Sequence, residues 1–123
     1  MKYMLLTYMD EKGLAMLSPE EQQKAMAHCW PHVEKLRAEK KFVAGAGLQP
    51  TSTATTIRLK EGKRVLIDGP FAETREHLAG YTIIEAKYLD QAIALASGFV
   101  GPSGLESIEV RPMIEVGVPV AAD

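Results

Sequence analysis

Asp68 and His28 are the side chains whose types and settings best suit proton-transfer chemistry. Asp68 closes a β-branched run and precedes Gly69 and Pro70, in the stretch IDGPFAETREHLAGY from Ile67 to Tyr81. A carboxylate at a strand end beside such a bend can accept hydrogen bonds from the turn's own amides. As a catalytic group it would need a histidine or a substrate proton within about 3 Å. His28 carries an imidazole that titrates near neutral pH. By helical angle it lies opposite the apolar stripe of its helix, facing solvent or, in a kinked helix, a cleft.

The segment after Asp68 sharpens the question. About a dozen residues separate it from the next apolar run, which is long for a connection inside a compact domain. Pinned by Phe71 and Leu78, this loop would present Glu73, Thr74, Arg75, Glu76 and His77 at a rim. Gly69, Pro70, Phe71, Thr74 and His77 are therefore candidate ligand contacts, with Tyr81 and Trp30 as pocket walls. The competing reading is a structured turn with a solvated charge run.

Other constellations fail on their own terms. His28 and His32 have the four-residue spacing of a helical metal pair, but Pro31 lies between them and no third ligand is evident, so no metal is expected. Cys29 falls on the apolar stripe and reads as a buried thiol. Ser103 in GPSG has no base at a recognisable spacing. The G-x-G of FVAGAGLQP is followed by Pro50 and threonines, not by a helix whose N-terminus could take a pyrophosphate.

Elements must hold these residues in place. Tyr3 to Tyr8 reads as a strand covered on both faces. Ser18, Pro19 and Glu21 form a helix start with a capping box. The helix carries Met26, Cys29, Trp30, Val33 and Leu36 on one stripe, and cations gather at its end, where they suit the macrodipole. Pro31 predicts a kink or a division near Ala27 to Pro31. After the glycine-rich strand comes a hairpin turning at Glu61-Gly62. A strand follows from Tyr81 to Ala86, then a helix from Gln91 to Ser97 capped by Asp90, and a last strand from Ser107 to Met113. The order β-α-β, hairpin, β-α-β predicts an α+β, ferredoxin-like fold: βαββαβ with an inserted β-hairpin and both helices on one sheet face. A second copy covering the other face would make a symmetric dimer.

Composition narrows the partners. A chain of 123 residues suits one domain, expected over residues 1–115 with a flexible tail at 116–123. Net charge is −2, without the basic face of a nucleic-acid binder or of a protein drawn to anionic membrane. The single cysteine can form no internal disulfide, and neither a signal peptide nor a membrane span is evident. A cytoplasmic setting is expected, with no cofactor.

The strand–DGPFAET–strand arrangement resembles the DGPF subgroup of the YCII-related domain family. The likeness runs from Met1 to about Glu115 and includes MKYMLLTY, GLQPTSTATTIR, DGPFAETREHLAGY and IEVRPM. It implies a dimeric ferredoxin-like α/β barrel with a cleft between sheet and helices. It also implies a histidine–aspartate dyad, with the helix histidine of relatives falling on His28; one relative removes chloride from a chlorinated aromatic. Their aspartate lies in an Asp-Pro pair after the second helix, where this chain reads Ser97-Gly98-Phe99, so Asp68 would have to supply the carboxylate. Subgroup members are often encoded beside extracytoplasmic-function sigma factors. Two functional expectations result. One is a homodimer binding an unknown small molecule in a cleft, with acid/base chemistry of lyase or isomerase type at Asp68 and His28. The other is a non-catalytic regulatory or accessory module.

Overall fold

Two crossovers build the main sheet of the computed structural model, which describes residues 1–114. Strand β1 (Lys2–Met9) leads through helices α1 (Glu11–Ala15), α2 (Pro19–Ala27) and α3 (Trp30–Ala38) to β2 (Phe42–Gly47). A 3-10 turn at Thr51–Thr53 precedes the hairpin β3 (Thr55–Lys60) and β4 (Lys63–Asp68). Then come β5 (His77–Glu85), α4 (Leu89–Ser97) and β6 (Glu106–Pro112). The four-stranded antiparallel sheet has the order β2-β5-β1-β6, and β3 and β4 form a separate two-stranded sheet. The protein is thus a mixed α+β structure, as the element order predicts. The tail expected at 116–123 lies outside the described residues.

Local chemistry accounts for most boundaries. Ser18 caps α2, its Oγ accepting from the Glu21 amide at 3.1 Å; the Glu21 carboxylate accepts from the Ser18 hydroxyl, where a full capping box would take the Ser18 backbone N–H. The predicted break is real: α2 ends at Ala27 and α3 starts at Trp30. Pro31 falls in the first turn of α3, where its missing N–H would have no helical partner anyway. Glu61 and Gly62 take positive φ angles of 53° and 78°, the conformation of a two-residue hairpin turn.

The core lies between one sheet face and the helices. Tyr3, Leu5 and Ile84 pack with Val33 and Leu36 of α3, Ala92 and Ala96 of α4, and Phe99. Leu5, Leu36 and Ile84 are fully buried, each contributing about 1.5–3 kcal/mol of transfer free energy. Strand alternation turns Met4, Leu6, Tyr8, Tyr81 and Ile83 to the opposite face, which no helix covers among the described residues. Among the described residues no helix is long and apolar enough to cross a membrane.

Three expectations need correction, and one element was not expected. Of the expected apolar stripe, Val33 and Leu36 reach the core, but Met26 and Trp30 stay 64% and 62% exposed. The break at the end of α2 takes them past the large core residues, over glycine-bearing sheet. Strand β5 begins at His77, not Tyr81, so the loop after Asp68 is shorter than expected. Asp90 is not a cap but sits in the first turn of α4; the Gln91 side chain accepts from the Lys87 amide at 2.7 Å instead. Helix α1 goes unread in the sequence, although Asp10 caps it by accepting from the Gly13 amide at 3.0 Å.

Candidate functional site

The sheet end under α2 and α3 lacks large side chains. Gly45 of β2 pairs with Thr82, Gly47 pairs with Gly80, and Gly80 in turn faces Thr7 of β1. These positions alternate onto the helix side of the sheet. A Cβ on Gly80 would lie 2.8 Å from the Ala46 carbonyl oxygen, whereas one on Gly47 would meet open space. The result is a cleft of about 700 Å³ with a floor of backbone and small residues. Its walls include Met26, Trp30, Phe42 and Leu48. An aromatic ring and a thioether left in water over a bare floor are unusual for a monomer's surface and suit an apolar ligand.

Charged groups border the two ends of this cleft. Arg37 lies near Phe42 at the start of β2, its guanidinium carbon 4.8 Å from the ring centroid. Beyond the end of β2, Glu11 accepts from the Thr51 amide at 3.0 Å and from Thr51 Oγ1 at 3.1 Å. A smaller hollow of about 500 Å³ shares Glu11 and adds Lys12, Thr51, Thr74, Arg75 and His77. Its charged groups are partly spent on one another and on the backbone: Glu11 on Thr51, and Arg75 on Asp10 at 3.6 Å.

The two helix histidines have a different employment. His28 directs Nδ1 at the Ala25 carbonyl, 2.6 Å away, and Nε2 at the Phe99 carbonyl, 2.8 Å away. A neutral imidazole can donate through one nitrogen; two carbonyl partners match the imidazolium. The Glu106 carboxylate stands 3.6 Å from Nε2 with its side chain only 6% exposed, and accepts from the Gly101 amide at 3.3 Å. Burial opposes protonation of His28, but the Ala25 and Phe99 carbonyls and Glu106 outweigh it and raise its pKa above the ordinary 6.5. Burial likewise lifts Glu106 above the ordinary carboxylate value, against the pull of His28 and the Gly101 amide.

His32, one turn on, brings Nε2 to 2.6 Å from the Leu95 carbonyl and sets its ring edge-on to Phe99. Both histidines thus close the C-terminal end of α4, where orphan carbonyls and the negative end of the dipole favour donors. Two glycines make room for them. A Cβ on Gly98 would sit 2.4 Å from the His32 ring, and one on Gly101 would sit 2.9 Å from both His28 and Glu106. This cluster is a structural clasp between α2–α3, α4 and β6.

The candidates around Asp68 scatter. Asp68 is exposed at the end of β4, opposite Thr55, and makes no ion pair or side-chain hydrogen bond among the described residues. His28 finds Glu106, not Asp68. Gly69 needs its flexibility, with φ at 105°; its amide donates to Ala54 and its carbonyl accepts from Thr56 Oγ1. Pro70 is half-buried beside it, while Phe71 is 73% exposed under the Arg58 guanidinium. Thr74 donates to the Glu76 carbonyl, and His77 pairs with Met9 in the sheet; both border the smaller hollow. Trp30 and Tyr81 border the larger cleft, Tyr81 through its backbone, since its side chain shares the outer face with Leu6. Cys29 borders it too, and burial pushes its thiol pKa up, away from thiolate reactivity.

The residues missed are Glu106, Gly98, Gly101 and the glycine floor. The floor had a sequence signal in the two-residue spacing of Gly45 and Gly47 within a strand. Glu106 had none, being far from His28 along the chain. Among the described residues no group of three His, Cys, Asp or Glu side chains is placed to hold a metal ion.

Comparison with known proteins identifies a family. The model of the YCII-related domain matches residues 1–114. A protein of Rhizobium meliloti (strain 1021), named only as uncharacterized, is 36% identical over 115 residues, covering 92% of each chain. The chain belongs to the YCII-related domain family.

Proposed function

We propose that this member of the YCII-related domain family is a small-molecule-binding protein whose ligand occupies the glycine-floored cleft. The observation that carries the reading is a cleft of about 700 Å³ that keeps Trp30 and Met26 in water above backbone. Occupancy would bury both, and burying such side chains is favourable by about 25 cal/mol per Å² of apolar surface. The experiment is a thermal-shift screen of small metabolites against wild type and Trp30→Ala. A ligand bound to the folded state alone raises Tm by mass action. The reading expects apolar hits whose shifts vanish in Trp30→Ala; hits indifferent to that substitution contradict it.

The reading includes a finer architecture. The strand order, with each crossover passing over one neighbour, supports a ferredoxin-like arrangement. Asp68 to Phe71 carries the letters of the DGPF subgroup. The sheet face bearing Met4, Leu6, Tyr8 and Ile83, which no helix among the described residues covers, supports a homodimer forming an α/β barrel; a cytoplasmic setting is part of the same reading. Sedimentation of wild type and Leu6→Glu checks this, with dimer expected for the first and monomer for the second. Acid/base catalysis by Asp68 with His28 is not part of the proposal, because one carboxylate faces water and the imidazole is bonded to carbonyls.

A second reading, a partner-binding accessory module, has its own observation. On one face of the β3–β4 hairpin Ile57, Leu59 and Leu66 are 65%, 78% and 58% exposed. A two-stranded sheet with such a face is marginal alone and gains from a covering protein. Leu59→Lys abolishing dimerisation would assign that face to the second copy and remove the need for another partner.

A further inference from the structure

We infer that the cleft's ligand is an amphiphilic anion: an apolar body bearing one carboxylate or sulfonate, with the charge seated at Arg37. The inference rests on the cleft being a binding site and adds the occupant's charge and direction. The two ionisable ends of the cleft are not equivalent. Glu11 already accepts three hydrogen bonds from Thr51, two from its amide at 3.0 and 3.3 Å and one from Oγ1 at 3.1 Å. A cationic ligand would have to displace these.

Arg37 is committed far less. Its one carboxylate contact among the described residues joins Nε to Glu34 at 3.8 Å, between side chains 60% and 70% exposed. Exposed pairs of this kind contribute about 0–1 kcal/mol. Among the described residues neither terminal nitrogen has a partner, which leaves both for the two-pronged geometry that a guanidinium offers a carboxylate. The Phe42 ring, its centroid 4.8 Å from the guanidinium carbon, orients the charge at the cleft wall.

Between the ends, the strand of six residues spans about 20 Å at the usual rise. Over that length the walls are mainly apolar, with Trp30, Met26 and Leu48. A neutral apolar ligand would leave Arg37 unused. An anion with its charge at the other end would meet the Glu11 carboxylate. One orientation satisfies both ends.

Two dyes that share a naphthylamine body test this: 8-anilinonaphthalene-1-sulfonate and the uncharged N-phenyl-1-naphthylamine. Wild type is expected to bind the sulfonate about tenfold more tightly, the scale of one charge-assisted hydrogen-bonded contact. Added salt shrinks the preference. Arg37→Gln brings the two dyes to near parity and leaves the Kd of the neutral one unchanged. Equal binding by wild type, or a preference that survives Arg37→Gln, overturns the inference while sparing the cleft. Gly47→Leu places a side chain in the open space above that residue and is expected to abolish binding of both dyes. Binding of both that persists in Gly47→Leu overturns the cleft itself, and the inference with it.

Discussion

Two sides of the α2–α3 break are used in opposite ways. On one side His28 and His32 are bonded to carbonyls at the end of α4 and close enough to Gly98 and Gly101 that no Cβ fits between. On the other, Met26 and Trp30 border the cleft above Gly45, Gly47 and Gly80 and stay exposed. The contrast shows that chemical promise and availability differ. The imidazoles, which invite a catalytic reading, have their donors spent inside the fold. The apolar side chains, which invite a core reading, are the ones left waiting for a partner.

The largest effect separating the two sides should come from the clasp. His28→Ala strands two carbonyls and the nearly buried Glu106 carboxylate, and is expected to cost about 2 kcal/mol or more. Calorimetry should show Tm lower by roughly 8 °C or more for a domain of this size. The pH dependence sharpens the assignment. His28 has a raised folded pKa, so its stabilisation is complete below the unfolded value and lost as pH rises through the folded one. Glu106, also raised, has the same sign in a lower window that starts at the ordinary carboxylate value. Wild-type Tm should therefore fall as pH climbs past neutrality, and this upper step should be missing in His28→Ala.

An identical substitution on each side gives the next largest difference. Gly98→Ala forces a methyl against the His32 ring and is expected to cost about 1–3 kcal/mol. Gly47→Ala enters open space and should change stability by less than about 0.5 kcal/mol. Urea midpoints of the two variants read this directly. Equal midpoints would mean that the packed side is not packed.

The smallest effect belongs to Asp68→Asn. An exposed carboxylate with no partner among the described residues should leave both stability and dye binding within error of wild type. A tenfold loss of binding would bring the hairpin into the site and break the division drawn here.

What could be read from the sequence follows from how local each cause is. The Ser18 cap, the break at Pro31 and the Glu61-Gly62 turn depend on neighbours within a few residues, and all three stand as read. Helical angle puts Met26 and Trp30 on the stripe of Val33 and Leu36, but it carries no information about the sheet beneath. There the glycines of β2 and β5 leave them unpacked. The start of β5 at His77 was hidden because Gly80 interrupts the apolar alternation. The clasp was unreadable: Glu106, at the start of β6, meets His28, just past the end of α2, only in the folded chain, and no spacing encodes that. Asp68 drew attention because its bend is unusual, and Gly69 accounts for that bend through its own backbone bonds.

The most direct test uses the chain's single tryptophan. Trp30 emission should be quenched saturably by N-phenyl-1-naphthylamine in wild type and remain flat over the same titration in Gly47→Leu, whose cleft is filled. Matching saturation curves for the two proteins would place the dye elsewhere and contradict the account.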